Sequence, residues 1–125
     1  MDVRLKRAYD AAVASDGYRV LIDRLWPRGV SRENAHLDEW ALELAPSAGL
    51  RRWFGHDPDR FAQFRLRYGE ELAAHETKLR ELRQRARNGT LTLVYGARDT
   101  EHNDAVVLAE VLRREAQSKE EVEDS

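Results

Sequence analysis

Two short polar stretches carry the side chains with chemistry in them: Asp23-Arg24-Leu25-Trp26-Pro27-Arg28-Gly29 and Arg98-Asp99-Thr100-Glu101-His102-Asn103. In the first, two arginines flank a tryptophan. Guanidinium forks bind phosphate or carboxylate in pairs, and an indole offers a stacking face. In the second, His102 is the side-chain type suited to general acid–base work, because the unperturbed imidazole titrates near neutrality. Asp99 can orient it or act as the base itself. Tyr9 and Tyr95 sit at the ends of expected strands and bring hydroxyls to the same region. The candidate catalytic residues are therefore His102 and Asp99. The candidate ligand-binding residues are Tyr9, Arg24, Trp26, Arg28, Tyr95, Arg98 and Asn103.

Each candidate also has a structural reading. Asp99 or Asn103 can cap a helix, which leaves His102 merely exposed. Trp26 can be core, and Asp23 can pair with an arginine to fix its turn. Taken together, Arg24, Arg28, Asp23 and Asp99 can brace one another and leave no room for a ligand. The histidines at 36, 56, 75 and 102 lack metal-ligand spacing, and Asp57-Pro58 is accounted for as a helix start. No metal site is assigned and no cofactor is named. Phosphate-loop, GxSxG and zinc signatures are missing.

The elements that must position these residues follow from periodicity. Residues 90–96 read as a strand, with Leu91, Leu93 and Tyr95 alternating with Thr92 and Val94. Gly96 permits a sharp turn, and Ala105, Val106, Leu108, Ala109 and Leu112 recur at helical spacing, which predicts a helix over 103–116. A strand feeding a helix N-terminus aims free N–H groups and a positive dipole end at one spot, which favours anions. Residues 2–7 form a second strand. Tyr18 to Leu25 form a third, whose continuous Val20-Leu21-Ile22 suits burial on both faces of a parallel sheet. The linker between these two strands is short for a parallel crossover, so the residues leave their relative direction open. Ser31 starts a turn of helix, and Leu37 to Leu44 reads equally as an irregular strand or a helical turn. Ser47 to Gly55 is a short helix. From Asp57 to Asn88 the spacing gives one long helix or two, broken at Gly69 or at Ala73–Glu76, with the Phe61–Leu82 stripe as core.

The expected fold is α/β: a single small domain over residues 1–116, a mostly parallel sheet with helices packed on it, and an acidic tail over 117–125 expected to be disordered. In such sheets ligands bind beyond the carboxyl ends of the strands. There Arg7 and Tyr9, the stretch 24–28 and the stretch 95–103 converge if the strands are parallel.

The chain has 125 residues, 42% hydrophobic and 35% charged, which fits one soluble domain with one core. A net charge of −2 argues against broad charge-driven nucleic-acid binding. With no cysteine there are no disulfides, thiolate zinc sites or cysteine nucleophiles, and a reducing cytoplasm suits the composition. No apolar run is long enough to span a membrane, and the start MDVRLKRAYD lacks a signal-peptide core. The residues fix no oligomeric state.

KRAYD, GYRVLIDRLWPRGVSRE, ELAPSAGLRRWFGHDPDRF, YGEEL and LTLVYGARDTEHNDAVVL together resemble the YeaO-like branch of the domain of unknown function 488 (DUF488), from Val3 to Leu112. The resemblance implies a compact α/β domain and no known activity. It also implies a strand–helix–strand opening in a longer branch of the family. That branch tends to carry Cys and His in the loop matching Tyr95–Asn103, so its thiol chemistry does not transfer to a chain without cysteine. YeaO-like members often have His or another uncharged residue after the Asn of this loop, where Asp104 stands here.

The functional expectation is a site for a phosphate-bearing or other anionic small molecule, nucleotide-like, and possible catalysis at His102 or Asp99 is left open. The alternative is a non-enzymatic module for nucleic acid or a protein partner, based on Arg51-Arg52 beside Trp53 and on Arg80, Arg83, Arg85 and Arg87. Interleaved Glu76 and Glu81 and the acidic tail count against it.

Overall fold

The computed structural model describes residues 1–123. Its strands are β1 (Asp2–Arg7), β2 (Tyr18–Leu21), β3 (Glu39–Trp40) and β4 (Thr90–Tyr95). They form one sheet in the order β1-β4-β2-β3 with every pairing parallel. The first two strands are therefore parallel without touching, because β4 lies between them. The helices are α1 (Arg32–Ala35), α2 (Ala48–Phe54), α3 (Phe61–Ala73), α4 (Glu76–Asn88) and α5 (Asp104–Glu123). Both readings of Leu37 to Leu44 apply in turn: Glu39–Trp40 pairs as β3, and Leu42–Leu44 makes a 3₁₀ turn. The long helical stretch breaks at Ala73–Glu76 and continues through Gly69. The helix after β4 runs to Glu123, past the expected end at residue 116, and residues 124–125 of the expected tail lie outside the described residues.

Period-two alternation divides the sheet into two unlike faces. Val3, Val20, Ile22, Leu91, Leu93 and Tyr95 face the main core. There they meet Phe54, Phe61, Phe64, Tyr68, Leu72, Leu79, Leu82 and the apolar stripe of α5. Phe54 and Phe64 stack at 4.3 Å, and Tyr68 donates its hydroxyl to the Leu44 carbonyl at 2.6 Å. The other face carries a smaller cluster, Ala8, Leu21 and Val94, under Trp26, Val30, Leu37 and Trp40. Val20 and Ile22 thus face the main core and Leu21 the smaller cluster, so this continuous apolar run is covered on both faces of the sheet.

Beside that small cluster lies a buried polar network. Asp16 accepts from Arg19 Nη1 at 2.7 Å, from Lys6 Nζ at 3.1 Å and from the Val13 N–H at 3.0 Å. Arg19, 3% exposed, spends its remaining donors on the carbonyls of Ala35 and His36. Desolvation pushes the Asp16 carboxyl up, but these donors outweigh it and hold the group below the usual carboxylate range. Gly17 closes the turn into β2 with φ +66°, and a Cβ there would stand 2.3 Å from the Thr90 carbonyl oxygen.

β2 ends at Leu21, four residues short of the expected Leu25. Side chains take over the hydrogen bonds that a longer strand would make. Trp40 Nε1 donates to the Asp23 carbonyl at 2.8 Å, and the Gly96 N–H donates to Asp23 Oδ2 at 2.8 Å. The chain then leaves the sheet through Pro27, which lacks an N–H to give.

Candidate functional site

At the carboxyl ends of β2 and β4 the two polar stretches come together around a cavity of about 210 Å³. Its walls include Trp26, Pro27, Phe54 and Phe64, with Asp23, Arg24, Asn103 and Asp104 as polar lining and Arg51 and His56 at the exposed rim. Gly96 permits the close approach of the two loops: a Cβ there would lie 3.2 Å from Asp23 Oδ2.

Arg24 is half-buried and anchored by one bond, Nε to the Pro46 carbonyl at 2.9 Å. Its two terminal amino groups have no protein acceptor among the described residues. Trp26 is held by a bond to the Val30 carbonyl at 2.6 Å and by an edge contact with Trp40 at 5.5 Å, yet it still lines the cavity. Arg24, Trp26 and Asn103 are thus the expected ligand-binding residues that the fold brings to one cavity.

The remaining candidates lie elsewhere. Arg28 and Arg98 are exposed and do not line the cavity. Tyr9 donates to the Arg28 carbonyl at 2.9 Å under the guanidinium of Arg7, and so braces the loop. Tyr95 is buried, and loss of solvent raises its phenol above the usual range. Asp99 receives the N–H groups of Glu101 and His102 at 2.9 and 3.0 Å, and its Oδ2 lies 2.9 Å from His102 Nδ1. Those bonds, led by the Glu101 N–H, hold the Asp99 carboxyl below its usual range. His102 packs edge-on against Phe61, away from the cavity. Asn103 caps α5: its Oδ1 accepts from the Val106 N–H at 3.0 Å, and its Nδ2 donates to the Asp99 carbonyl at 2.9 Å. The helix N-terminus that the sequence offers to an anion is therefore already answered by its own cap.

The residue missed by sequence reasoning is Asp104. Its Oδ1 accepts the Ala105 N–H at 2.9 Å, and it lines the cavity together with Asp23. Desolvation first, then the neighbouring Asp23 charge, raise Asp104 well above the usual carboxylate range. Asp23 thus accepts from a backbone amide where the sequence suggested an arginine. The one signal available was a second carboxylate directly after a helix cap. Ion pairing among Arg24, Arg28, Asp23 and Asp99 does not fill the region: Asp99 is engaged by His102, and Arg24 by a carbonyl.

A larger groove of about 590 Å³ lies at the opposite, amino-terminal edge. Its charges are already matched, with Lys78 bonded to Glu39 and Glu81, Tyr18 to Glu39, and Arg85 stacked on Tyr18. In the arginine-rich helix α4, Arg83 is buried against the Leu112 carbonyl, which takes it out of the surface stripe. Among the described residues no group of three or more His, Cys, Asp or Glu side chains is placed to hold a metal ion. Nor is any helix there long and apolar enough to cross a membrane.

The class defined by this geometry is a small all-parallel α/β domain with a ring-sized pocket at the strand ends. The chain belongs to the DUF488 family, within the group described as the inactive DUF488-N3 subclade, whose model matches residues 2–125. It is 47% identical over 113 residues to the uncharacterised protein YeaO of Escherichia coli K12, covering 90% of this chain and 98% of that one. It is 40% identical over 111 residues to the uncharacterised protein Rv3073c of Mycobacterium tuberculosis H37Rv, covering 88% and 92%. No solved structure matches the chain.

Proposed function

We propose that the protein is a cytoplasmic binder of a phosphate-bearing small molecule, seated in the pocket between β2 and β4. The observation that carries this reading is Arg24: a guanidinium fixed by one bond, with two unspent amino groups, lining a cavity with apolar walls. Arg51 and His56 at the rim add cationic or donor character on the same side. Binding without turnover is favoured, because His102 and Asp99 engage each other outside the cavity. The description of the subclade as inactive agrees with that reading.

The test is thermal unfolding with inorganic phosphate, pyrophosphate and nucleoside phosphates. A ligand at 100 times its Kd adds about 2.7 kcal/mol, a shift of roughly 10 °C for a domain of this size. Arg24→Ala is expected to weaken that ligand at least tenfold while remaining folded. Failure of every phosphate-bearing compound to raise the Tm, or full affinity in Arg24→Ala, overturns the proposal.

A further inference from the structure

Arg24 can grip an anion only while its guanidinium is held still, and what holds it runs back to a residue outside the pocket. The bond on Arg24 goes to the Pro46 carbonyl at 2.9 Å. Pro46 belongs to a segment, residues 44–47, that α3 grips at two points. Tyr68 donates its hydroxyl to the Leu44 carbonyl at 2.6 Å. Glu71 accepts twice from Ser47, from its N–H at 2.8 Å and from its hydroxyl at 2.6 Å. The Ser47 N–H and the Pro46 carbonyl belong to one planar peptide group. Glu71 and Arg24 therefore hold the two sides of a single rigid unit. Donation of its N–H to a carboxylate also polarises that peptide and makes its carbonyl a better acceptor for Arg24.

The same serine starts α2. Its Oγ accepts the Leu50 N–H at 3.2 Å, and its carbonyl accepts the Arg51 N–H at 2.9 Å. Arg51 is the second arginine lining the pocket. Arg24 and Glu71 also line one groove on the α3 side, yet among the described residues they form no ion pair. Both Glu71 oxygens are spent on Ser47, which leaves the Arg24 charge for a ligand. We infer that Glu71 is the positioning residue of the anion site: through the Pro46–Ser47 peptide it aims Arg24, and through the start of α2 it sets Arg51. The assignment rests on the phosphate-binding proposal. Charge alone predicts the opposite effect, because a carboxylate near the site repels phosphate and its removal should tighten binding. Positioning makes binding weaker when Glu71 is lost. It also lets glutamine substitute, since an uncharged amide can accept the Ser47 N–H and donate to the Ser47 hydroxyl oxygen.

The experiment titrates the full chain with inorganic phosphate and with pyrophosphate by calorimetry, and follows the Arg24 Nε–H in proton–nitrogen correlation spectra without ligand. Glu71→Ala is expected to weaken both anions about fivefold or more, the loss that comes from freeing one long side chain. It should also abolish the solvent-protected Nε–H resonance, which a general loss of stability would leave in place. Glu71→Gln should keep that resonance and bind both anions at least as tightly as the unaltered protein. Glu71→Asp keeps the charge and shortens the reach by one methylene, so it should weaken both anions by about threefold or more. Unchanged or tighter binding in Glu71→Ala overturns the role of Glu71 and leaves the phosphate site standing. Binding by Glu71→Gln as weak as by Glu71→Ala overturns it in the same way. Should Glu71→Ala fail to fold, full affinity in Glu71→Asp is the overturning result. Failure of the unaltered protein to bind either anion removes both readings.

Discussion

Asp104→Asn tests the desolvated Asp104 carboxyl of the pocket through stability alone. In the folded protein Asp104 titrates well above its ordinary value of 3.8, because it is desolvated and faces Asp23. A carboxyl raised by folding favours the folded state fully below the unfolded pKa, and that advantage is lost as pH rises toward the folded pKa. Across that window the folded state binds one more proton than the unfolded chain, so stability falls by about 1.4 kcal/mol per pH unit. For 125 residues the unfolding entropy is roughly 0.26 kcal/mol/K, so each pH unit lowers the Tm by about 5 °C. Asparagine cannot ionise, and its side-chain oxygen can still accept the Ala105 N–H. The Tm of Asp104→Asn minus that of the parent should be close to its minimum near pH 4 and climb by at least about 5 °C by pH 8. Scanning calorimetry or circular dichroism at half-unit steps measures it. Parallel Tm curves for the two proteins from pH 4 to 8 would refute the raised Asp104 carboxyl.

Elsewhere the buried network beneath β2 makes a stronger demand. Asp16→Ala strands the buried Arg19 guanidinium and should cost about 3–5 kcal/mol, seen as a Tm lower by roughly 11–19 °C. Since Asp16 titrates below its usual value when folded, its contribution is present above pH 4 and is lost as acid protonates it, so the gap to the parent should narrow below about pH 4. Tyr68→Phe leaves the Leu44 carbonyl bare in the core and should cost about 1–3 kcal/mol by urea unfolding, with an unchanged m-value.

Local pattern made most of the elements legible. Alternation in 90–96 and helical spacing after Asn103 describe β4 and the start of α5, and Val20-Leu21-Ile22 correctly announces a strand covered on both faces. What the pattern lacks is the identity of neighbours. Nothing in residues 2–7 or 18–25 says that β4 inserts between them. Without that register Asp23 looks like a partner for an adjacent arginine instead of a neighbour of Asp104. The site was legible to the same extent. Arg24 and Trp26 follow from lying just past a strand end. Arg28 and Arg98 share that position in sequence, but tight turns carry them outward. His102 was attractive by type alone, and the Asx turn built on Asp99 directs it to Phe61.

The central placement of β4 also governs how the protein can be made. β1 and β2 emerge first during synthesis, yet each hydrogen-bonds across the sheet to β4, whose residues 90–95 come late. Until then β1 has no neighbour, and β2 has only the two-residue β3. The nascent chain must carry β1 through the synthesis of α1 to α4 before Asp2 can meet Thr90. Such long-range closure slows folding and prolongs the exposure of unpaired edges. Release of the C-terminal third is the event that turns a set of helices and loose strands into a domain, so a chaperone acting on this protein would have to hold the amino-terminal strand in waiting.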